Sequence, residues 1–518
     1  MCATAAVASD QSITLAELCR RALGTAGFAR RPVAGVTDDS RAVRPGWVFV
    51  AVRGGKADGH DFVPEAVANG AVAVVSERAA GVPPGVTELI VPDARQALAR
   101  LMAGWTGLDR IQQEGRLRVF GITGTNGKTT TTYLVQAILR AAGHATARLG
   151  TTGLDLVHRE IAADGMTTPP AVVLCRHLVE AAEAGARFAA LEVTSHALDQ
   201  RRVDGIDFEA AAFTNLTPEH LDYHGTMANY RRAKKRLFEL LRPGATALVN
   251  VDDPGGELIA DGTRARVVRY GFADRADLRI EIVQTGAEGS RFRLHHPGVA
   301  GEYATPLAGR HNLYNAAAAF GAARALGVDV ETIRTALAAA GRVPGRLERV
   351  TGEGEEFHVY VDYAHTEDAL RNVLAAVRPF TRGRLCCVFG CGGDRDRTKR
   401  PRMGTAAAEL ADRVFVTSDN PRGEEPERII DEVMAGIPAD ARARTERVVD
   451  RAEAIGRAIE DAAEGDTVLI AGKGHEDYQI IGATRRHFSD AEAAAEALRR
   501  RARRGGRPGI LPAPTGQP

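Results

Sequence analysis

Residues 123–130 read Thr-Gly-Thr-Asn-Gly-Lys-Thr-Thr, between an apolar run at 117–122 and a helix-forming run at 133–139. A glycine-rich turn between a buried strand and a helix directs backbone N–H groups and the amino end of the helix toward an anion. In such a loop Lys128 supplies a positive charge, and the Thr129 hydroxyl can ligate Mg²⁺. The spacing of the glycines departs from the common phosphate-loop pattern, so a purely structural turn is the alternative. We predict that this loop binds a nucleotide.

The composition is that of an ordinary globular chain, and it excludes several functional classes. The 518 residues carry 67 Lys+Arg against 66 Asp+Glu, and 44% of them are apolar. At roughly 150 residues per domain, this length suggests about three domains. Nucleic-acid-binding proteins usually carry a basic excess, so we expect no nucleic-acid partner. No run approaches the roughly 18 apolar residues of a membrane span, and the first residues make a poor secretory signal. We therefore expect a cytoplasmic protein without a membrane partner.

Short apolar runs alternate with helical patterns along the chain, which predicts an α/β fold with mostly parallel sheets covered on both faces. The predicted strands are 47–52, 71–75, 117–122, 188–193, 210–214, 245–251, 357–362, 384–389, 413–417 and 467–471. The two glycines and the proline of 341–345 predict a boundary. We therefore divide the chain into units at 1–116, 117–344 and 345–503. A tail follows at 504–518, whose Arg, Gly and Pro content predicts disorder.

Lysine is rare in this chain. Of the 67 basic residues 61 are arginine, and the lysines are Lys56, Lys128, Lys234, Lys235, Lys399 and Lys473. A lysine therefore indicates a position where a compact primary amine is needed. Chance retention is the alternative for any single one.

Acidic and histidine side chains follow the predicted strands of the second unit. Glu192 lies at the end of 188–193, where a carboxylate emerges beside the phosphate loop of a doubly wound sheet. Residues 220–224 then read His-Leu-Asp-Tyr-His. Histidines at this density could bind zinc, but oxygen-rich surroundings that serve a nucleotide favour Mg²⁺. The alternative for Glu192 is a solvated acid at a strand end.

The run Gly-Thr-Asn-Gly-Lys-Thr-Thr at 124–130 resembles the phosphate loop of the Mur ligases, ATP-dependent amide-bond synthetases of peptidoglycan precursor assembly. The resemblance implies a three-domain Mur ligase architecture, with a central P-loop parallel-sheet ATPase domain and a Rossmann-like C-terminal domain. It also implies that ATP converts a carboxylate to an acyl phosphate, which an amine then attacks. The ATP-binding residues of the loop would be Gly124, Thr125, Asn126, Gly127, Lys128, Thr129 and Thr130.

Catalytic roles implied by the resemblance fall on Lys128, Glu192, His220 and Lys234. Lys128 and Mg²⁺ would neutralise the transferring phosphoryl group. The metal ligands would be Thr129, Glu192, His220 and Lys234, the last as a carbamate formed from its primary amine and CO₂. Lys235 is the register alternative, and we favour Lys234 because it directly follows Tyr-x-x-Ala at 230–233.

Three further residues resemble nucleotide contacts of the family. Asn312, in Gly-Arg-His-Asn at 309–312, would pair with adenine. Asp362 would bind the ribose, and Arg346 would enter the phosphate site when the domains close. The family usually continues Asp-Tyr-Ala-His with Thr-Pro-Asp, whereas residues 366–368 here are Thr-Glu-Asp. The details of that loop therefore stay open.

The run Asp-Asn-Pro-Arg at 419–422 resembles the motif of the family branch that adds meso-diaminopimelate. A planar guanidinium suits a substrate carboxylate in two-point contact, whereas carboxylates suit the distal ammonium. A lysine-adding relative would have less use for Arg422, because lysine lacks the distal carboxylate. On its own the run would be interpreted as a β-turn. The resemblance assigns diaminopimelate binding to Arg395, Asp419, Asn420, Pro421, Arg422, Gly472 and Glu476.

Other segments resemble those that hold the uridine diphosphate and the muramoyl peptide of the family's substrate. The residues are Ser40, Thr167, Thr168, Thr194, Gln200 and Arg202. Gly55 and Lys56 stand where the family often has His-Gln-Ala, so the exact uridine contacts stay open.

Together these motifs predict a monomeric, Mg²⁺-dependent ATP ligase that adds meso-diaminopimelate to UDP-N-acetylmuramoyl-L-alanyl-D-glutamate. The enzymatic alternatives are a lysine-adding sister and a folylpolyglutamate synthetase. A catalytically silent nucleotide-binding regulator is disfavoured because Lys128, Glu192, His220 and Lys234 are all present. A nucleic-acid-stimulated ATPase is disfavoured by the lack of a basic stripe.

Overall fold

The computed structural model describes residues 13–55, 57–163, 165–299, 301–352 and 355–504. Lys56 and the predicted disordered tail beyond residue 504 lie outside the described residues. Arg504, where we expected the tail to begin, is instead the last residue of a helix. Among the residues described, no helix has both the length and the apolar composition needed to cross a bilayer.

The first unit is a parallel four-stranded sheet in the order β1-β2-β3-β4. Its central strand β3 is buried along nearly its whole length, as expected of a parallel strand covered on both faces. The elements are α1 Leu15–Leu23, β1 Gly35–Thr37, β2 Trp47–Val50, α2 Val63–Ala68, β3 Ala71–Ser76, β4 Thr87–Ile90, α3 Ala94–Thr106 and α4 Leu108–Gln113.

The second unit is an eleven-stranded sheet in the order β15-β14-β13-β12-β11-β10-β5-β9-β6-β7-β8. Its first elements are β5 Arg118–Thr123, α5 Lys128–Ala141, β6 Thr146–Gly150, β7 Gly153–Asp155, β8 Glu160–Ile161, α6 Ala171–Glu183, β9 Phe188–Glu192, α7 Ser195–Asp199 and β10 Phe208–Phe213. The remainder are α8 Leu221–His224, α9 Met227–Glu239, β11 Thr246–Asn250, α10 Gly256–Ala260, β12 Arg266–Gly271, β13 Leu278–Gly286, β14 Gly289–His295, β15 Gly301–Thr305, α11 Arg310–Ala325 and α12 Val330–Ala338.

Helices cover both faces of the parallel centre of this sheet. On β5, Val119 packs into a core shared with α6 and α9. Its neighbours Phe120 and Ile122 pack into the opposite core with α5 and α11. Since successive side chains of a strand point to opposite faces, this arrangement confirms the prediction of a sheet buried on both sides. The first core also contains residues of α3, so the first unit packs directly on the second.

The two edges of the second sheet are antiparallel, which the sequence analysis did not predict. At one edge β13, β14 and β15 pair antiparallel, and at the other β6, β7 and β8 do so. On β14 the buried side chains alternate with exposed ones. Such half-exposed strands lack the continuous apolar run by which the buried strands were predicted.

The third unit contains a six-stranded sheet in the order β16-β17-β21-β18-β19-β20, which is parallel except for β16, and a separate antiparallel pair of strands, β22-β23. Its elements are β16 Glu348–Arg349, β17 His358–Asp362, α13 Glu367–Val377, β18 Leu385–Cys391, α14 Lys399–Leu410, β19 Arg413–Ser418, α15 Pro426–Met434, β20 Thr445–Arg447, α16 Arg451–Asp461, β21 Thr467–Ala471, β22 Tyr478–Ile481, β23 Thr484–His487 and α17 Asp490–Arg504. Helices α13 to α15 pack on one face, and α16 and α17 pack on the other. The α/β prediction is therefore confirmed.

A fully buried ion pair joins the last helix to the carboxyl ends of two strands. The guanidinium of Arg451 donates to both carboxylate oxygens of Asp490 at 2.7 Å, and both side chains are 0% exposed. The same guanidinium donates to the backbone oxygens of Ala471 and Ser418. This pair therefore holds α17 against the edge of the sheet that carries the predicted amino-acid site.

We predict that Asp490→Asn destabilises α16 and α17 by about 3–5 kcal/mol, because it leaves the buried Arg451 charge without a counterion. Hydrogen exchange of the two helices, measured by mass spectrometry, reports this loss of protection. The matched control is Glu492→Gln on the same helix, whose pair with His487 is exposed and therefore contributes little to stability. Equal protection in the two variants would contradict the prediction.

Candidate functional site

The phosphate loop connects β5 to α5 and has no room for side chains at its glycines. Gly124 has φ +146°, and a Cβ atom there would lie 1.8 Å from the Thr214 hydroxyl oxygen. Gly127 has φ +90°, and its Cβ would lie 2.4 Å from the side-chain oxygen of Asn315. The loop therefore needs glycine at both positions, and its backbone stays open to an anion.

Two lysines converge on this loop from different helices. Lys128 Nζ donates to the backbone oxygens of Gly124 and Thr125, both at 2.8 Å. Lys234 Nζ, which comes from α9, donates to the same Gly124 oxygen at 2.8 Å. Burial lowers the pKa of Lys128. Burial, together with the charge of Lys128, lowers the pKa of Lys234 far below its usual value.

The structure separates Lys234 from its neighbour Lys235. Lys234 is 1% exposed and lies with its Nζ 4.4 Å from the centre of the Tyr230 ring. Lys235 points away, and its Nζ donates to the Asp261 carboxylate at 3.1 Å. Of the two register alternatives, Lys234 is the amine that faces the phosphate loop.

Glu192 is the last residue of β9, and hydrogen-bond donors surround its carboxylate. Its carboxylate accepts hydrogen bonds from the Thr129 hydroxyl at 3.1 Å, the Thr151 hydroxyl at 2.9 Å and the Thr151 N–H at 3.0 Å. The side chain is fully buried. A buried carboxylate beside the first threonine of the helix fits Mg²⁺, which takes one or two carboxylates and completes its shell with phosphate oxygens and water.

His220 is in the left-handed conformation at φ +55° and is half exposed beside His196, with the ring centres 4.6 Å apart. Burial and the charges of neighbouring histidines lower the pKa of His196 to about 4. In the described part of the chain, no three His, Cys, Asp or Glu side chains are grouped so that they could hold a metal ion. The described residues thus offer no grouping of the side chains that zinc prefers, whereas Mg²⁺ needs only one or two carboxylates.

Glu219 is a site residue that the sequence analysis missed. Burial alone would raise its pKa, but His220, Lys128, His365 and Lys234 together hold the pKa below its usual value. The Tyr230 hydroxyl lies 3.4 Å from this carboxylate. In the sequence, its position directly before His220 could have indicated that Glu219 belongs to the site. The site therefore holds a second carboxylate between the two lysines.

The third unit reaches the phosphate loop through two contacts. The Arg346 guanidinium donates to the Thr129 hydroxyl oxygen at 3.2 Å. The Asp368 carboxylate accepts hydrogen bonds from Asn126 Nδ2 at 3.0 Å and from the Thr217 hydroxyl at 3.1 Å. Asp368 was not predicted as a site residue. These contacts bring residues of both units to one junction.

The remaining predicted nucleotide contacts are already engaged within the protein. The Asp362 carboxylate accepts the N–H groups of Leu347 at 2.7 Å and Ala364 at 2.8 Å. The Asn312 amide donates to the Ala308 oxygen at 2.8 Å and accepts from Asn315 at 2.9 Å. Their roles toward ribose and adenine stay predictions. Thr130, also predicted in the loop, is buried on α5.

All the residues predicted to bind the uridine diphosphate or the muramoyl peptide lie beside Glu192, except Ser40. The Thr168 hydroxyl donates to the backbone oxygen of Glu192 at 2.8 Å. The Arg202 guanidinium donates to the Thr168 oxygen at 2.7 Å and to the Gln200 side chain. The Thr194 and Thr167 hydroxyls contact Thr168 and Thr151, respectively. Ser40 lies in the first unit, where its hydroxyl donates to Glu65.

The predicted amino-acid residues form one cluster in the third unit. Asn420 Nδ2 donates to the Glu476 carboxylate at 2.9 Å. Gly472 has φ +122°, and a Cβ there would lie 2.8 Å from the Asp419 carboxylate. Lys473, which was not among the predicted site residues, lies between the Asp419 and Glu476 carboxylates.

Two loops carry the predicted carboxylate-binding arginines, and a buried arginine joins them. Arg422, which follows Pro421, has φ +51° and donates to the Gly393 oxygen at 2.9 Å. Arg395 lies in the facing loop and is exposed. Arg400, 0% exposed, donates to Glu424 at 2.8 Å and to the Gly392 oxygen at 3.1 Å. The sequence analysis missed this residue, since its partners are distant in the chain.

Three family models match the chain. They are described as "Mur ligase family, catalytic domain" at residues 32–106, "Mur ligase middle domain" at 122–323, and "Mur ligase, glutamate ligase domain" at 345–474.

Similar proteins cover nearly the whole chain. A UDP-N-acetylmuramoyl-L-alanyl-D-glutamate--2,6-diaminopimelate ligase of Gloeobacter violaceus is 46% identical over 489 residues, which cover 94% of this chain and 98% of that protein. A protein of the same name from a Synechococcus species is 47% identical over 494 residues, which cover 92% and 96%. A solved structure of a ligase with that name is 35% identical, has a TM-score of 0.68, and covers 95% of this chain and 99% of its own.

We predict that Gly124→Ala lowers nucleotide affinity about tenfold or more, because the new Cβ would collide with Thr214 and distort the loop. Titration with a fluorescent ADP analogue measures the affinity. Gly143→Ala is the matched control, since Gly143 also has a positive φ but has open space around its Cβ position. Unchanged affinity in Gly124→Ala would contradict the assignment of the loop.

Proposed function

Because the chain belongs to the Mur ligase family, we propose that it is the ATP-dependent ligase that adds 2,6-diaminopimelate to UDP-N-acetylmuramoyl-L-alanyl-D-glutamate in peptidoglycan synthesis. The observation that carries this proposal is the contact between the phosphate loop and the unit that contains the amino-acid cluster. The phosphate loop with its lysines lies in the second unit, the amino-acid cluster lies in the third, and Arg346 of the third contacts Thr129 of the second.

The reaction has two steps. An oxygen of the D-glutamyl γ-carboxylate attacks the γ-phosphorus of ATP, and ADP leaves. The amine of diaminopimelate then attacks the acyl carbon of the resulting acyl phosphate, phosphate leaves, and the nitrogen loses a proton. An acyl phosphate exposed to solvent would be hydrolysed, so the two substrates must meet in a site closed to water.

The phosphate-binding roles fall to the loop and its lysine. Backbone N–H groups of residues 124–130 and the amino end of α5 would hold the phosphates. Lys128, which lies against the loop backbone, would place its ammonium beside the transferring oxygens. Arg346 would add a second positive charge from the third unit. Two anionic reactants can approach only when such charges screen them.

Mg²⁺ fits the oxygen donors of Thr129 and Glu192, with His220 and a carbamate on Lys234 as further ligands in this proposal. When bound, Mg²⁺ would supply additional positive charge to the phosphate oxygens. The burial of Lys234 supports the carbamate, because only an uncharged amine adds CO₂ and burial lowers the pKa of this amine, which favours its uncharged form. The product, N6-carboxylysine, would carry a negative charge between Lys128 and His220.

Different residues would bind the two substrates, each of which carries carboxylates. The threonines and Arg202 beside Glu192 would hold the muramoyl peptide, with Gln200 orienting Arg202. Ser40 would contact the uridine moiety from the first unit. Arg395 and Arg422 would bind the diaminopimelate carboxylates. Asp419, Asn420 and Glu476 would bind its distal ammonium. We propose that one monomer holds all these residues.

A product assay tests the substrate assignment. Incubation with ATP, Mg²⁺, the uridine dipeptide substrate and meso-diaminopimelate should add one diaminopimelate residue to the substrate, as measured by mass spectrometry. Lysine in place of diaminopimelate should give little product, because it leaves Arg422 without its carboxylate. Preferential incorporation of lysine would contradict the proposal, and turnover with a folate acceptor alone would favour the folylpolyglutamate alternative.

We predict that Lys234→Ala loses nearly all ligase activity and that a short-chain carboxylate restores part of it, since the added acid replaces the carbamate oxygens. Phosphate release is the measurement. Lys235→Ala should retain activity, because its amine contacts Asp261 at the surface. Full activity in Lys234→Ala would contradict the carbamate proposal.

A further inference from the structure

Lys473 is a buried lysine in the amino-acid cluster. It lies in the connection between β21 and β22, and its side chain is 0% exposed. Most basic positions in this chain are arginine. An ammonium in a fully buried position is costly unless it is paired and hydrogen-bonded.

Three acceptors from two segments surround the Lys473 ammonium. Its Nζ donates to Asn420 Oδ1 at 3.2 Å and to Glu476 Oε2 at 3.3 Å, and it lies 3.7 Å from Asp419 Oδ1. An ammonium has three N–H groups. Two of these are donated to protein oxygens, and the Asp419 carboxylate lies within ion-pair distance, so the Lys473 charge is compensated inside the cluster.

The acceptors of Lys473 are themselves joined to one another. Asn420 Nδ2 donates to the same Glu476 carboxylate, and Asn420 Oδ1 also accepts the N–H of Ile480 at 2.9 Å. Removal of Lys473 would therefore affect the orientation of Asn420 and Glu476 together.

The charges of this cluster do not cancel. Asp419 and Glu476 contribute two negative charges, and Lys473 contributes one positive charge. The neighbouring Arg451 is already paired with Asp490 through both carboxylate oxygens. Asp419, Glu476 and Lys473 together thus carry one negative charge, which is the complement of a single substrate ammonium.

We propose that Lys473 is a positioning residue that holds Asp419, Asn420 and Glu476 as a cluster with one net negative charge, which selects amino acids that carry a second ammonium. This inference rests on the proposed function, because it assigns the cluster to the amino-acid substrate. Arg422 would select the distal carboxylate, whereas the cluster around Lys473 would select the distal ammonium.

The ionisation of Asp419 agrees with this arrangement. Burial alone would raise the pKa of Asp419, but the positive charges nearby hold it below its usual value. Lys473 makes the largest of these contributions. The other charged or titratable groups that face Asp419 or Glu476 are Arg451, His365, Lys399, Cys391, Tyr363 and Tyr478.

Lys473→Met should change substrate selection. Without the ammonium, Asn420 and Glu476 lose the donor that orients them, and two carboxylates repel each other in one buried site. The KM for diaminopimelate should rise about tenfold or more, with the KM values for ATP and the uridine dipeptide nearly unchanged. The preference for diaminopimelate over 2-aminopimelate, which lacks the second amine, should fall by a similar factor. Steady-state phosphate release measures all of these quantities.

The pH profile gives a readout that a purely structural role would not move. Lys473 lowers the pKa of Asp419, so the charge of that carboxylate persists to lower pH. In Lys473→Met the pKa of Asp419 rises, and ammonium binding weakens as the pH falls through that higher value. The acid limb of kcat/KM for diaminopimelate should therefore move upward by about 1–3 pH units. Lys235→Met is the matched control and should leave the limb in place.

A double variant separates charge from loss of folding. Lys473→Met with Glu476→Gln removes one charge of each sign, so the acid limb should return toward its original position while the KM for diaminopimelate stays high. The inference would be overturned if folded Lys473→Met kept both the acid limb of kcat/KM and the preference for diaminopimelate over 2-aminopimelate. If the unmodified protein itself releases no phosphate with diaminopimelate, the proposed function fails instead.

Discussion

Two primary amines share one carbonyl oxygen in this protein. Lys128 and Lys234 both donate to the Gly124 oxygen at 2.8 Å, in a place where burial penalises each charge. Two ammonium groups cannot both stay charged there without compensation. Glu219 supplies one negative charge, and burial beside Lys128 lowers the pKa of Lys234, which favours its uncharged form. The phosphate site thus depends on the balance of charge among these three side chains.

The amino-acid cluster of the third unit uses a lysine in the opposite way. Lys473 is as deeply buried as Lys234, yet three protein oxygens surround it. Its charge is therefore compensated by its neighbours, whereas that of Lys234 is opposed by Lys128. The same residue type fills two roles because the local charges differ. In a chain whose other cations are almost all arginine, both positions use the compact ammonium group.

The sequence predicted those parts of the fold and site that depend on local patterns. The apolar runs located the parallel strands, because buried parallel strands are apolar on both faces. The strand, glycine-rich turn and helix located the phosphate loop. The antiparallel strands β13 to β15 were missed, since their alternating burial leaves no continuous apolar run. Asp368 and Arg400 were missed because their partners Asn126, Thr217, Glu424 and Glu432 lie far away in sequence, where only the folded chain brings them together. Glu219 and Lys473 were missed as site residues although each has one partner close by in sequence, because their other partners are distant.

The most direct test of the account follows one oxygen atom. The central claim is that the D-glutamyl carboxylate attacks phosphorus, so the oxygen that attacks must leave with the phosphate when the amine displaces it. With the γ-carboxylate of the uridine dipeptide labelled with ¹⁸O, the account predicts one labelled oxygen in each phosphate released with diaminopimelate. Mass spectrometry of the phosphate measures the label. Amide product formed together with unlabelled phosphate would contradict the account.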